Sequence, residues 1–393
     1  MTVQSPIYLD HSATTPVDPA VVAAMLPYWT EFFGNPSSTH HFGRNARRAL
    51  DQSRQTIADV IQANPTEIIF TGSGSESDNL ALRGVMLAAQ RRGAGNHLII
   101  SAIEHKAVLD TARQLRDQFG VEVTILPVDH YGQVSVEAAA AAIRPNQTVL
   151  ISLMAANNEI GSWQPIQAIG ELARARGILF HTDAVQAMAY AAWDMRRQPI
   201  DLLSMAPHKF YGPKGVGILY VRNGVELLPP ITGGSQEGGR RPGTENVAFA
   251  VGAAHALALT QTHRAADTPR LAQLRDTLIA VVLSANPADC QLTGHPTQRL
   301  PHHASFAVRG VSANDLLMHL DMAGIAAGSG SACLVGNPQP SATLEALGLT
   351  QEWTRGGLRF SFGRNNSLND AHTAAHALNT AIARLRHLTP ALA

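Results

Sequence analysis

The chain has 393 residues, 30 of them basic and 30 acidic, so its formal charge is zero. Hydrophobic residues make up 45% and charged residues 15%, which supplies a large core and argues against disorder. The balanced charge excludes a polybasic field for nucleic acid or an anionic membrane.

The length suggests two domains. The two cysteines, Cys290 and Cys333, make no disulfide framework and fit a reducing compartment. The opening MTVQSPIYLDHS lacks a basic region followed by an apolar stretch, so no signal peptide is expected. The longest apolar patches are short, so no transmembrane helix is expected and the default location is the cytoplasm. Histidine pairs such as His40–His41 and His302–His303 lack a metal-ligand spacing, and no metal site is expected.

In chain order, IYLDHSATTP reads as an extended segment. Seven apolar runs follow between helical patterns: EIIFTG (67–72), HLIIS (97–101), VEVTILPV (121–128), TVLISLM (148–154), GILFHT (177–182), DLLSMA (201–206) and GVGILYV (215–221). Continuous apolar strands alternating with amphipathic helices predict an α/β fold, with a seven-stranded, mostly parallel sheet covered by helices. An alanine-rich helix over 245–263 comes next. Beyond it, helix 270–283, strands near 304–308 and 357–362, and a helix over 369–387 predict a smaller α+β domain. The expected division is 15–262 for the large domain, and 1–14 with 263–393 for the small one.

Ligands of open α/β sheets bind beyond the carboxyl ends of the strands. The residues there are informative. Gly74 and Ser75 in TGSGSESDN open a helix whose free amides suit an anion, although a plain capped turn reads equally well. His105 in AIEHKAV offers an imidazole to a flat ring, or caps a helix. Asn157 and Asn158 in NNEIG offer amides to a ligand oxygen, or form a turn. Asp183 follows an apolar strand and, if buried, needs a cationic partner; Gln186 lies close behind. His208 and Lys209 follow the next strand in MAPHKFYGPKG.

That stretch holds two of the three lysines in the chain, Lys209 and Lys214; Lys106 is the third, and the other 27 basic side chains are arginine. A chain that uses arginine almost everywhere keeps lysine where a primary amine is needed, because guanidinium stays protonated and is a poor nucleophile. Anion cradle, imidazole, amides, carboxylate and amine at five successive strand ends together match the needs of pyridoxal 5'-phosphate. Cys333 stands in AAGSGSACLVGNPQP, a glycine- and serine-rich loop setting that suits a nucleophile better than a core thiol. Arg359 in GLRFSFGR offers a guanidinium fork to a carboxylate, or makes an ion pair.

With these residues in place, the chain resembles the cysteine desulfurases, a class V aminotransferase group of fold-type-I pyridoxal phosphate enzymes. YLDHSATTPVDP, FGNPSS, FTGSGSESDNLA, EHKAV, NNEIG, HTDAVQ, HKFYGPKG, RPGTENV, GSGSAC and LRFSFGR carry the resemblance nearly end to end, and GSGSAC looks like the longer-loop subgroup. The resemblance implies removal of sulfur from L-cysteine, giving L-alanine and a persulfide on Cys333. That sulfur would pass to an acceptor protein, such as an iron–sulfur scaffold or a sulfur carrier. It implies that Lys209 holds the cofactor covalently, Asp183 pairs with the ring nitrogen, His105 stacks on the ring and takes part in catalysis, and Gln186 meets the phenolic oxygen. Gly74, Ser75 and His208 would grip the phosphate, and Asn158 and Arg359 the substrate carboxylate. Thr244 would reach the phosphate from a second subunit of a homodimer. Lys214 then belongs to a structural turn.

The family usually has serine three residues before the lysine, where this chain has Ala206 followed by Pro207, so one phosphate contact is in question. Gly74-Ser75 stands for the usual Ala-Thr, and Leu334 and Val335 follow Cys333 where small hydroxyl residues are common. A selenocysteine lyase or another pyridoxal phosphate lyase, or a non-catalytic dimeric scaffold for sulfur-carrier proteins, remain the alternative readings.

Overall fold

The computed structural model describes residues 6–330 and 341–388. Cys333 therefore lies outside the described residues. Its strands are β1 Ile7–Tyr8, β2 Ile68–Thr71, β3 His97–Ser101, β4 Glu122–Leu126, β5 Thr148–Ser152, β6 Leu179–Asp183, β7 Leu202–Met205, β8 Gly217–Val221, β9 Cys290–Leu292, β10 His303–Val308, β11 Ile325–Ala326 and β12 Gly357–Ser361. The α-helices are α1 Pro19–Met25, α2 Pro27–Thr30, α3 His41–Ile61, α4 Gly74–Arg92, α5 Lys106–Phe119, α6 Val136–Ala142, α7 Ile166–Ala175, α8 Val247–Ala285, α9 Ala313–Met322, α10 Ala342–Ala346, α11 Gln351–Thr354 and α12 Leu368–Leu388.

The seven apolar runs form one sheet in the order β2-β8-β7-β6-β5-β3-β4. Within it β8 runs against both neighbours, and the remaining pairings are parallel. Parallel strands need helical crossovers, which cover the faces. The strands β2, β3, β7 and β8 are accordingly buried along their whole length. The order β6-β5-β3 places the C-terminal ends of these strands side by side, where α4, α5 and the turn after β7 also begin.

A second, antiparallel sheet has the order β12-β10-β9. The N-terminal segment joins this side of the molecule: β1 pairs in parallel with β11, and Asp10 bridges to Ser361. Leu9 packs in the same apolar cluster as Phe306, Phe360 and Leu378.

One expectation changes. The stretches read as two helices, 245–263 and 270–283, are a single helix, α8, with Pro269 inside it. Proline removes one helical hydrogen bond and usually ends a helix. Here tertiary packing overrides it. Leu257 is anchored in the core of the large sheet, and Leu271, Leu274 and Leu278 in the core of the small one. Arg270, next to the proline, donates to the carbonyls of Asn366 and Arg364. Among the described residues no helix is long and apolar enough to cross a membrane.

Candidate active site

The strand ends surround a cavity of about 280 Å³. It is lined by Gly74, Ser75, His105, Asn158, Asp183, Gln186, His208, Lys209 and Arg359, nine of the residues singled out from the sequence. Ser12, Ala13, Asp78 and Ala206 are also on its wall. Thr244 is elsewhere, exposed at an opening shared with Trp29, Phe32 and Phe33.

Lys209 closes a short 3-10 turn, Pro207–Lys209, directly after β7. Its Nζ donates to the carbonyls of Ser12 (2.6 Å) and Ala13 (2.7 Å). Burial, and then the Arg359 cation, push this amine down to about 8, against the opposing pull of Asp10 and Asp183. Such a lysine is neutral, and so nucleophilic, far more often than a surface one. Lys214 is exposed before Gly215, whose φ of +83° is the left-handed conformation that glycine accepts readily.

Asp183 ends β6 and accepts from the Val185 amide at 2.9 Å. Burial raises its carboxyl, and the His105 and Lys209 charges pull the other way. His105 is the N-cap of α5, its Nδ1 accepting from the Ala107 amide at 3.1 Å. Gln186 donates to the Ser12 carbonyl at 2.9 Å. The N-terminal segment thus ties together Lys209 and Gln186 by one backbone oxygen.

The phosphate-like end is built by α4. Ser73 is its N-cap, accepting from the Glu76 amide, and Gly74 is its first residue. A Cβ on Gly74 would stand 3.1 Å from both Ala206 Cβ and Val185 Cγ2, so glycine keeps this cradle open. Free amides at a helix N-terminus suit a phosphate. His208 bonds Thr14 Oγ1 through Nδ1 at 3.2 Å; burial, then Lys209 and Lys214, push it down to about 4. It therefore meets a ligand as a neutral hydrogen-bonding group. Ser204, the hydroxyl nearest to Ala206 in sequence, pairs with His181 at 3.0 Å and does not line the cavity.

Of the two asparagines, Asn157 is committed to its turn: it donates to the Ile103 carbonyl and accepts from the amides of Glu159 and Ile160. Asn158 faces the cavity. Arg359, on β12, donates to Asp10 Oδ1 (2.8 Å) and to the Asn158 carbonyl (3.0 Å), and its buried Nε has no partner among the described residues. Glu159 accepts from Ser341 Oγ at 2.6 Å and lies against Gly330. Cys290 is buried on β9, its thiol pushed up to about 12 by burial, which leaves it inert at neutral pH.

Sequence reasoning missed Asp10, Ser12, Ala13, Asp78 and Glu104. Glu104 is buried and accepts from Ser101 Oγ (2.6 Å) and the Met154 amide (3.0 Å), and burial pushes it up to about 8. The LDHSATTP segment preceding a strand-poor stretch was a signal for the first three; a lone acid inside a helix was none for Asp78.

Amine, deeply set carboxylate, helix N-terminus and glycine cradle together fit pyridoxal phosphate. The family model described as Aminotransferase class-V matches residues 7–373. The chain belongs to the class-V aminotransferase family. It is 45% identical over 384 residues to a cysteine desulfurase IscS of Methanosarcina thermophila, covering 98% of this chain and 94% of that one. A solved NifS-like protein superposes with a TM-score of 0.89 at 31% identity, covering 96% of this chain and all of that chain. The solved structure of SspA in complex with cysteine gives a TM-score of 0.79 at 35% identity, over 91% and 98% of the two chains. This class-V protein is a pyridoxal-phosphate-dependent enzyme of the cysteine desulfurase group.

Proposed function

We propose that this site desulfurates L-cysteine with the residues named above in distinct roles. The observation that carries the reading is the meeting of Lys209, Asp183, Arg359 and the α4 N-terminus around one cavity. Bound pyridoxal phosphate supplies an aldehyde for amines and a ring that takes up the electron pair left when a Cα proton departs. Lys209 would hold that group through its Nζ and, as a free amine, would move the substrate's Cα proton. Asp183 would pair with the ring nitrogen and favour its protonated form, His105 would cover the ring and act as an acid–base partner, and Gln186 would meet the phenolic oxygen. Gly74, Ser75 and His208 hold the phosphate. Arg359, with Asn158, holds the substrate carboxylate.

Cys333 is the nucleophile in this reading. Its thiolate attacks the substrate sulfur; a sulfur–sulfur bond forms and the carbon–sulfur bond breaks, with its electron pair left on carbon, which a proton then quenches. L-Alanine leaves, and Cys333 keeps a persulfide for a protein acceptor such as an iron–sulfur scaffold or sulfur carrier.

We read the protein as a cytoplasmic homodimer. The exposed aromatics Trp29 and Phe33 beside Thr244, with Phe42 stacked on Phe33, support a second copy docking there, which would let Thr244 reach its partner's phosphate site. Residues 15–262 form the cofactor domain in this reading, and 1–14 with 263–393 the small one; the two apolar clusters on either side of α8 support that division.

Purified holoenzyme given cysteine and a reductant should form alanine and sulfide, faster than with cysteine sulfinate. Cys333→Ala should abolish both products. Undiminished sulfide from that variant would assign the nucleophile elsewhere, and a preference for selenocysteine alone would make the enzyme a selenocysteine lyase.

A further inference from the structure

Asp78 lies in the second turn of α4, is 1% exposed, and faces the cavity beside Asp183. Its Oδ1 has no hydrogen-bond partner among the described residues. The nearest basic group, His181 Nε2 on β6, is 3.7 Å from that oxygen. Burial holds this imidazole neutral, pushed down to about 3, and it is already engaged by Ser152 Oγ on β5 and Ser204 Oγ on β7. The other charged groups acting on Asp78 are acids: Asp183 at the end of β6 and Glu104 after β3. Ser204 is the one group there that favours its ionised form. The Lys209 amine and His105 act on Asp183 instead.

A carboxylate stripped of water needs several donors or a cation, and otherwise takes up a proton. Asp183 has the Val185 amide and the facing cations; Glu104 has Ser101 and the Met154 amide. Asp78 has one serine hydroxyl, and its other neighbours are the acids Asp183 and Glu104. Two buried acids that act on one another do not readily both ionise, and the proton stays on the one with fewer donors.

We propose that Asp78 is a proton-bearing, neutral carboxyl in the pocket wall, a positioning residue that leaves Asp183 as the acid free to ionise there. A neutral Asp78 keeps the charge in this part of the floor single and places it where the ring nitrogen is to be paired, a role that rests on the function proposed above. The sign of its pH effect follows. A buried acid whose folded form holds its proton more tightly than the unfolded chain lowers stability progressively as pH rises above about 4, the ordinary aspartate value.

The test uses the full-length holoenzyme. Infrared difference spectra of Asp78→Asn against the parent at pH 7 should show loss of a protonated-carboxyl stretch. The melting temperature of Asp78→Asn relative to the parent should climb between pH 5 and 8. Loss of an ionised-carboxylate stretch, or a melting difference that falls with pH, overturns the proposal. If Asp78→Asn does not fold, the parent chain carrying carbon-13-labelled aspartate decides: one protonated aspartate at pH 7 supports it and none contradicts it. Asp183→Asn separates this from the functional reading, since weakened pyridoxal phosphate binding in that variant bears on Asp183 whatever Asp78 does.

Discussion

The floor and the mouth of the cavity are tuned in opposite directions by the same cause. At the floor, burial raises the acids Asp78 and Asp183, and it raises Glu104, which acts on both from outside the cavity lining. At the mouth, burial lowers the bases Lys209 and His208, to about 8 and about 4. Both shifts favour the neutral form. The result is a pocket whose buried acids and bases both carry less charge than they would in water. That setting suits a cofactor that arrives with its own phosphate charge and basic ring nitrogen.

The contrast can be broken from either side. At the floor, Asp183→Asn should weaken pyridoxal phosphate binding by about 100-fold or more, the scale of losing one partner of a buried charge pair. Fluorescence titration of the stripped enzyme measures it. At the mouth, the rate at which the stripped enzyme takes the cofactor up covalently should rise about tenfold per pH unit from pH 6, and level off above about 8, because the neutral Lys209 amine is the reactive form. Stopped-flow absorbance across that range checks it; a flat profile would place the amine's proton elsewhere. Arg359→Lys should raise the KM for cysteine by about tenfold or more, since a point charge replaces a fork that bridges Asp10 and the Asn158 carbonyl. The smallest change sharpens the phosphate end. Ala206→Ser, next to Gly74, should tighten cofactor binding by about fivefold, the worth of one added hydrogen bond.

The strand ends, at floor and mouth alike, were the more legible part of the site. Its residues stand at the ends of continuous apolar strands, and a parallel sheet brings successive strand ends together, so order along the chain maps onto position in space. Gly74, His105, Asp183 and Lys209 were found that way. Asp78 was hidden because one acid within a helix reads as a solvated face. The mouth depends on long-range closure. The Ser12 and Ala13 oxygens that hold Lys209 are backbone atoms without a residue signature, and Asp10 meets Arg359 across 349 positions. The single helix α8 escaped notice because Pro269 reads as a stop, whereas two separate cores pin its halves into line.

The central claim is that the Lys209 amine is the covalent anchor of the cofactor. Borohydride reduction of the holoenzyme followed by peptide mass spectrometry tests it directly. The added mass of the reduced cofactor should fall on Lys209 and on neither Lys106 nor Lys214. A modification on either of those lysines, or none at all on a chain that still turns over cysteine, would contradict the account.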